Sequence, residues 1–323
     1  MSDENQHWVP KFLLRNFADT DGKLFRMDIR TDEVKKRPPK HLAAAPGFNE
    51  FKSEGDDVSY EDRLGRIESR AAPVLKRIVT GNSTAGLSDE DRSKIAEFLA
   101  AQSFRTEAFL AGMRLSEDRS SLGSLFDMLW KSAFIVVAQL QRRKLALMII
   151  EHDDVFYLGD NPVVLQRSQD PSSGGELGFD IPGIEAHLPL TPKCALYMPC
   201  ASTSDQIVSL YEDAVVVHKH ERLSALKAGR LAQPPSPALH LAQRTIRNAY
   251  PIYTAFTQGH PVASAPENVE NLNYLQCAWA HREIYSVRND FTFAKHVFER
   301  TPQYREGIKT SVVGWPTPPK PGG

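Results

Sequence analysis

Gln6-His7-Trp8-Val9-Pro10-Lys11-Phe12-Leu13-Leu14-Arg15-Asn16-Phe17 begins almost at the first residue of this chain. The first residues of a globular protein are usually frayed and polar. Here they include a tryptophan, two phenylalanines, two leucines and a histidine. Burial of this apolar surface would make residues 6–17, the opening segment, part of the fold. It would also place His7 where the core begins, and Arg15 with Asn16 at the start of the first helix.

The composition is that of an ordinary globular protein. The chain has 323 residues, of which 41% are hydrophobic and 24% charged, so we expect one large or two modest domains. The net charge is −1 and the isoelectric point is near 6.8. Such a balance excludes a global attraction to nucleic acid or to an anionic membrane, but it leaves a local basic groove open.

Three further features predict a soluble cytoplasmic protein. The acidic start, residues 1–5, has no apolar core of a signal peptide. No apolar run approaches the roughly 18 residues needed to cross a bilayer, so we expect no membrane partner. Cys194, Cys200 and Cys277 are too few and too scattered for a disulfide framework, and they fit reduced thiols.

The N-terminal half is predicted to be mainly helical. Apolar residues at helical spacing predict a helix over residues 60–79. Ser88 followed by Asp91 predicts a capping box at the start of the next helix. A further helix is predicted over about residues 124–141, whereas the polar, glycine-containing residues 47–57 are predicted to form a loop.

The pattern changes at Leu145. Residues 145–150 and 155–158, separated by a polar turn, predict a β-hairpin. Further strands are predicted at residues 163–165, 186–190 and 194–198. Helices are predicted near residues 204–217, 239–249, 266–281 and 289–298, and a glycine-rich loop at residues 172–178. The fold class is therefore α+β: a helical N-terminal half on a mostly antiparallel sheet, with further C-terminal helices. We expect residues 6–300 to form one domain and residues 301–323 to form a flexible tail.

Glu61 and Glu68 lie two helical turns apart and share a face with apolar residues. Burial of a carboxylate is costly unless it is paired, so each needs a reason. One interpretation is acid–base chemistry or cation binding. The alternative is a boundary glutamate paired with a nearby arginine, for which the candidates are Arg63, Arg66 and Arg70.

Gln102 and Arg105 lie one turn apart on the following helix. An amide and a guanidinium at this spacing suit a phosphate or a carboxylate held by two hydrogen bonds. The alternative is an Arg–Glu bridge between this helix and the helix that carries Glu61 and Glu68.

Three further positions complete the candidate set. Asp160 and Asn161 precede a proline at a strand end, which is ordinary turn chemistry, but strand ends often border clefts. His7 is interpreted as a general base or metal ligand, or as a histidine satisfied by one carboxylate. Arg15 is a candidate for anion binding, with a surface role as its default.

The same residues resemble the signature of an uncharacterised, mainly bacterial domain-of-unknown-function family, family 4238. Its members open with Gln-His-aromatic-Val-Pro, where this chain has Trp8 in place of the commoner tyrosine. They continue with Glu-x₆-Glu, Gln-x-x-Arg-Thr, and Ser/Gly-Asp-Asn-Pro-Val, where this chain has Gly159. The remaining matches are Pro189–Pro192, Asn271, Asn273 and residues 282–286. The resemblance spans residues 6–286 and implies no established activity; it implies only that these polar residues belong together.

Other motifs are weak. No nucleotide-binding glycine loop, His-Glu-x-x-His or Cys-x-x-Cys is present. His218-Lys219-His220 could chelate a metal, but an exposed element end is the simpler interpretation. Residues 141–144, Gln-Arg-Arg-Lys, are interpreted as a solvated helix end that could touch phosphates.

Three hypotheses follow. The first is a metal-assisted phosphoester hydrolase or nuclease, with a defence role suggested by analogy alone. Its catalytic or metal-binding residues would be His7, Glu61, Glu68 and Asp160, and its substrate-binding residues Gln102, Arg105, Asn161 and Arg15. The second is a sensor that binds a nucleotide-like ligand without turnover. The third is a structural polar network. The partner would be a small anion or a nucleic acid, and a divalent metal a cofactor without a strong motif. Both site hypotheses require His7, Glu68, Gln102, Arg105 and Asp160 to converge.

Overall fold

The computed structural model describes residues 5–53, 56–114, 133–167, 178–179, 181–230 and 234–308. Helices and mostly antiparallel sheets share this part of the chain, so the predicted α+β class is confirmed. The glycine-rich residues 172–177 and the tail from residue 309 lie outside the described residues, as does the first half, residues 124–132, of the helix predicted over residues 124–141.

The strands are short, and several of them pair with strands that lie far away in the sequence. In chain order they are β1 (Asn5–His7), β2 (Leu24–Asp28), β3 (Val34–Arg37), β4 (Ala44–Pro46), β5 (Glu50–Ser53), β6 (Asp56–Ser59), β7 (Ala146–Ile149), β8 (Leu158–Gly159), β9 (Val164–Arg167), β10 (Ile184–Thr191), β11 (Cys194–Met198), β12 (Val262–Ala263) and β13 (Glu283–Ser286).

The helices range from one and a half to more than seven turns. They are α1 (Lys11–Asn16), α2 (Glu61–Gly81), α3 (Asp89–Phe104), α4 (Glu107–Arg114), α5 (residues 133–141 as described), α6 (Ala201–Lys227), α7 (Pro237–Gln258), α8 (Pro266–Trp279) and α9 (Thr292–Arg300). Short 3₁₀ helices cover Pro39–His41 and Pro302–Glu306. None of the helices in the described ranges is both long enough and apolar enough to cross a membrane.

Two sheets form the framework. One has the strand order β12-β7-β11-β10-β9 and is antiparallel except for the pair β12–β7. The other has the order β3-β2-β13-β8 and is antiparallel throughout its described pairs. Two-stranded pairs β1–β4 and β5–β6 lie beside them.

The opening segment is buried, as predicted. Val9, Leu13, Leu14 and Phe17 have no exposed surface, and Trp8 is 8% exposed. They belong to one apolar cluster that also contains side chains of α2, α3, β10 and β11. The N-terminus is therefore the layer that joins the helices to the five-stranded sheet.

Local signals place α2 and α3 correctly. The Ser88 side chain accepts from the Asp91 amide, and the Asp91 carboxylate accepts from the Ser88 amide, which is the predicted capping box. The helix predicted over residues 60–79 is α2, which ends where Asn82 adopts a left-handed conformation with φ of 46°.

The predicted β-hairpin at residues 145–158 is wrong. β7 pairs with β11 and β12, whereas β8 pairs with β13 in the other sheet. The polar turn at residues 151–154 therefore joins two sheets instead of two neighbouring strands. Each strand finds its partner far along the chain, where local patterning gives no signal.

Two other boundaries differ from the prediction. Residues 47–57 are not a simple loop, because β5 and β6 pair there in antiparallel register. The predicted tail at residues 301–323 includes residues that belong to the fold. The Arg305 guanidinium donates to both carboxylate oxygens of Asp32, and the Ile308 amide donates to the Ala280 carbonyl.

α6 and α7 form a long antiparallel helical hairpin, which we call the α6–α7 hairpin. The Tyr211 and Tyr253 rings stack with centroids 4.0 Å apart, and Ser236 donates to the Glu221 carboxylate at 2.6 Å. Both helices extend beyond the predicted residues 204–217 and 239–249. α7 continues through Pro251. The proline removes only one backbone amide donor, and the helix is otherwise maintained on both sides of it.

Candidate functional site

The backbone of the opening segment holds His7 and Trp8 in place. His7 lies opposite Ala44 in the pairing of β1 with β4, and the Trp8 amide donates to the Ala43 carbonyl. The ring of Trp8 packs against Phe48 with centroids 4.8 Å apart. The extended chain turns into α1 directly afterwards, so His7 and Trp8 face the end of α3 from a fixed position.

Arg105 follows α3 and is among the largest fully buried side chains, with 2% of its surface exposed. Its Nε donates to Gln102 Oε1 at 2.9 Å, and its Nη1 donates to Glu68 Oε1 at 2.6 Å. Gln102 Nε2 in turn donates to the Trp8 carbonyl at 2.8 Å. These contacts join α2, α3 and the opening segment.

We call His7, Glu68, Gln102 and Arg105 the polar cluster. His7 belongs to the cluster because the charges of Glu68 and Arg105 both act on its ring. The structure thus realises the alternative considered for Arg105, an Arg–Glu bridge between α3 and α2. Glu68 pairs with Arg105 and not with the neighbouring arginines of its own helix.

Several buried polar atoms of this region lack a hydrogen-bond partner among the described residues. Arg105 Nη2, Trp8 Nε1 and His7 Nε2 have no hydrogen-bond partner among the described residues, and each has essentially no contact with solvent. Buried polar groups are nearly always paired, because an unmade hydrogen bond costs about 1–3 kcal/mol. Three unpaired buried atoms on Arg105 and on the opening segment therefore need an explanation.

Burial and, to a smaller extent, the positive charge of Lys11 lower the pKa of His7 to about 4. A hydrogen bond to the backbone of Pro39 and the charge of Glu68 oppose this shift. His7 is therefore neutral at pH 7. One nitrogen of a neutral imidazole donates and the other accepts. Because the Pro39 carbonyl takes the donor, Nε2 is presented as a free acceptor.

The lowered pKa of His7 predicts a loss of stability in acid. The unfolded chain takes up this proton near pH 6.5 and the folded chain only near pH 4. The His7 contribution is therefore complete above pH 6.5 and lost as the pH falls towards 4. The variant His7→Gln lacks this titration. Between pH 7 and pH 4 we expect its free energy of unfolding to gain about 3 kcal/mol relative to wild type.

Urea unfolding of both proteins at pH 7, 5.5 and 4 measures this difference. The comparison must be between variants, because the raised pKa of Asp160, described below, stabilises the folded state over nearly the same interval. A difference between wild type and His7→Gln that stays constant with pH would contradict the prediction.

Asp160 does not join the polar cluster, so the predicted convergence of five residues is wrong. Its Oδ1 accepts from the amide of His281 at 2.8 Å, and its Oδ2 accepts from the amides of Arg282 and Glu283 at 2.8 and 2.9 Å. Its own amide donates to the Glu283 carbonyl. Asp160 therefore ties β8 to the start of β13.

Burial and the charge of Glu283 raise the pKa of Asp160 to about 7, against the opposing effect of the three amides. Next to it, the Gly159 amide donates to Gln276 Oε1 at 2.7 Å. A Cβ at position 159 would lie 3.1 Å from that oxygen, which is a tight contact. This close approach of α8 accounts for a glycine at position 159 of this chain.

The remaining predicted residues lie apart from the cluster. Asn161 is buried, and its Nδ2 has no partner in the described part of the chain. Arg15 is exposed in the last turn of α1 and not at the predicted helix start, because the helix begins at Lys11. Glu61 is exposed at the start of α2, where Asn49 donates to its carboxylate at 2.6 Å. The backbone amide of Asn49 donates to Gln6 Oε1, so Asn49 connects Glu61 to Gln6.

A cavity of about 1320 Å³ lies beside α2, α3 and α5. Glu61, Arg66, Arg70, Glu97 and Phe134 are among its described lining residues, whereas no member of the polar cluster is. The cluster therefore faces the interior on one side of α2, and this cavity lies on another.

Within the described ranges, no three or more histidine, cysteine, aspartate or glutamate side chains are arranged to hold a metal ion. The four residues proposed as metal ligands do not form one group. Asp160 is committed to backbone amides, Glu68 is paired with Arg105, and Glu61 is exposed.

Sequence reasoning missed two groups at the site and misjudged a third residue. The indole of Trp8 and the ammonium of Lys11 both bear on the cluster, and both lie within the opening segment that pointed to it. Arg143, interpreted as part of a solvated helix end, is 5% exposed. It donates to the carbonyls of Ile184, Met198 and Phe179. The basic residues 141–144 gave no indication that Arg143 is buried and holds three backbone carbonyls.

Comparison with known protein families finds one described as "Protein of unknown function (DUF4238)", whose model matches residues 5–127 and 127–290. No curated protein and no solved structure matches the chain. The matched residues include the whole polar cluster as well as Asp160 and Asn161.

Proposed function

This chain belongs to the DUF4238 family, whose function is unknown, and from its polar cluster we propose that it is a phosphoester hydrolase. The proposal places the reacting phosphoryl group between Arg105, Trp8 and His7. It differs from the expectation drawn from the sequence, because it assigns no role to Asp160 and relies on no set of protein ligands to a metal.

The observation that carries the proposal is the group of unpaired buried atoms. Arg105 Nη2 and Trp8 Nε1 are donors without an acceptor, and His7 Nε2 is an acceptor without a donor. The non-bridging oxygens of a phosphoryl group would satisfy the two donors, and a guanidinium is well suited to this anion. A water molecule beside the phosphorus would satisfy the acceptor.

The chemistry uses each of these atoms once. His7 Nε2 takes a proton from the water, and the water oxygen forms a bond to phosphorus. The ester P–O bond breaks, and the leaving alkoxide takes up the proton that His7 received, so the alcohol departs and His7 returns to its neutral form. Arg105 stabilises the charge on the phosphoryl oxygens. The bound anion also offsets the positive charges of Lys11 and Arg105, and so raises the basicity of His7 towards neutral pH.

Glu68 and Gln102 act as positioning residues in this scheme. Their hydrogen bonds use Arg105 Nη1 and Nε, and so they fix the direction in which Nη2 points. Because the unpaired atoms are shielded from solvent, a substrate reaches them only through local opening of the surrounding chain. The three cysteines are free, which fits a reducing cytoplasm as the site of action.

Hydrolysis of bis(p-nitrophenyl) phosphate and of p-nitrophenyl phosphate, with and without EDTA, tests the proposal. We expect wild type to release p-nitrophenol, and His7→Gln and Arg105→Lys to lose about 10²-fold or more of the rate. The matched control is His260→Gln, which changes an exposed histidine and should keep the wild-type rate.

A second measurement separates binding from turnover. Inorganic phosphate should raise the melting temperature of wild type but not that of Arg105→Lys. Stabilisation by phosphate without hydrolysis would favour a sensor that binds an anion. If wild type shows neither effect and the variants lose only stability, the cluster is a structural network and the proposal is wrong.

A further inference from the structure

The distal half of the α6–α7 hairpin concentrates positive charge. Residues 218–247 contain six lysines and arginines and one glutamate, in a chain whose net charge is −1. The cations are Lys219, Arg222, Lys227, Arg230, Arg244 and Arg247. All six are exposed, and none forms an ion pair with another described residue.

The two helices bring these charges together. The contact of Glu221 with Ser236 and the stacking of Tyr211 on Tyr253 fix an antiparallel register. The last turns of α6 therefore lie beside the first turns of α7. The acidic residues of the hairpin other than Glu221, namely Asp205, Glu212 and Asp213, belong to the opposite half of α6. The hairpin thus has a basic tip.

Apolar side chains are interspersed with the cations. Leu223 is 56% exposed and lies between Lys219 and Lys227 on one row of α6, at spacings of four residues. A helix that lies in a membrane interface keeps its apolar and charged residues on separate faces. Here an ammonium group flanks Leu223 on both sides, so this row of α6 alternates charged and apolar residues.

The cations of α7 follow a second row. His240, Arg244 and Arg247 are exposed at spacings of four and three residues, and so they share one face. Tyr250 continues on the next turn and is 52% exposed. Rows of cations with neighbouring aromatic and amide groups are the usual means of holding a nucleic acid backbone.

We propose that the basic tip of the α6–α7 hairpin, formed by residues 218–230 and 234–247, binds the phosphate backbone of a nucleic acid. The contacts are electrostatic and independent of base sequence, because exposed lysines and arginines act on the phosphate charge and not on the base edges. The inference concerns binding alone, and it stands whether or not the polar cluster hydrolyses a phosphoester.

Fluorescence anisotropy with labelled duplex DNA, single-stranded DNA and single-stranded RNA tests the inference. We expect wild-type full-length protein to bind at least one of these with a Kd of about micromolar order at 50 mM salt, and to lose affinity steeply as salt rises. The variant Lys219→Gln/Lys227→Gln/Arg244→Gln/Arg247→Gln removes four cations from the tip. Its affinity should fall at least about tenfold, and its log–log salt slope by roughly 3 to 4.

The matched control removes four exposed cations elsewhere: Lys23→Gln/Arg30→Gln/Lys295→Gln/Arg300→Gln. It changes the net charge equally and should retain most of the affinity. Equal losses in both variants, or no binding by wild type, would overturn the inference. So would binding to phosphatidylserine vesicles without binding to any of the nucleic acids. Anisotropy measures binding without turnover, which keeps this test separate from that of the polar cluster.

Discussion

Asp160→Ala is expected to destabilise the protein by about 4 kcal/mol, because it leaves three backbone amides at residues 281–283 without their acceptor. Each buried donor that loses its partner costs about 1–3 kcal/mol. The amides belong to the connection between α8 and β13 and to the first residue of β13, so the loss loosens the sheet at its junction with β8. Urea unfolding followed by circular dichroism measures the change.

Asp160→Asn provides the finer test of the same carboxylate. It keeps one oxygen acceptor, so it should cost less than the alanine variant. The pKa of Asp160 is raised to about 7, so the wild-type fold is most stabilised by this group below pH 3.8 and loses that stabilisation as the pH rises towards 7. The asparagine does not titrate. We therefore expect the wild-type advantage over Asp160→Asn to shrink between pH 4 and pH 7.

The matched control is Asp153→Ala, which removes an exposed carboxylate from the neighbouring turn. A surface substitution of this kind usually changes stability by less than about 0.5 kcal/mol. Similar losses in Asp160→Ala and Asp153→Ala would show that Asp160 does not anchor the sheet. A pH-independent difference between wild type and Asp160→Asn would contradict the raised pKa.

Local chemistry made part of this fold predictable. The capping box at Ser88 and the apolar rows of α2 depend on residues within a few positions of one another, and both are observed. The hairpin predicted at residues 145–158 failed for the opposite reason. β7 finds β11 about 45 residues away, and β8 finds β13 about 125 residues away, and no local pattern records such pairings.

The candidate site was predictable to a similar extent. Helical spacing placed Glu68, Gln102 and Arg105 on faces that meet, because two neighbouring helices bury their apolar sides together. Spacing gave no distance between His7 and Asp160, which lie on separate sheets. It also gave no indication that the Arg143 side chain turns inward, where its guanidinium donates to three carbonyls. Long side chains decide such contacts through tertiary packing, which a sequence pattern does not contain.

The ion pair of the polar cluster should be the costliest in the described chain to break from one side. Arg105→Met leaves the Glu68 carboxylate and Gln102 Oε1 without their donor. Removing one partner of a buried ion pair typically costs 3–5 kcal/mol. Because the Glu68 side chain keeps 27% of its surface exposed, water recovers part of this loss, and we expect about 3 kcal/mol. Arg105→Lys keeps the charge but cannot reach both acceptors, so it should cost about 1–2 kcal/mol.

α2 and α3 offer an internal control for this prediction, since Arg70 of α2 pairs with Glu97 of α3 on the surface. The Arg70 side chain is 53% exposed against 2% for Arg105, and exposed ion pairs contribute about 0–1 kcal/mol. Arg70→Met should therefore unfold at nearly the wild-type urea concentration. In the double variant Glu68→Gln/Arg105→Met, no unpaired charge remains, and at least about 1 kcal/mol of the loss should be recovered. A loss that is no larger for Arg105→Met than for Arg70→Met would mean that the cluster holds no buried charge in the folded protein, and the assignment of Arg105 as its centre would be wrong.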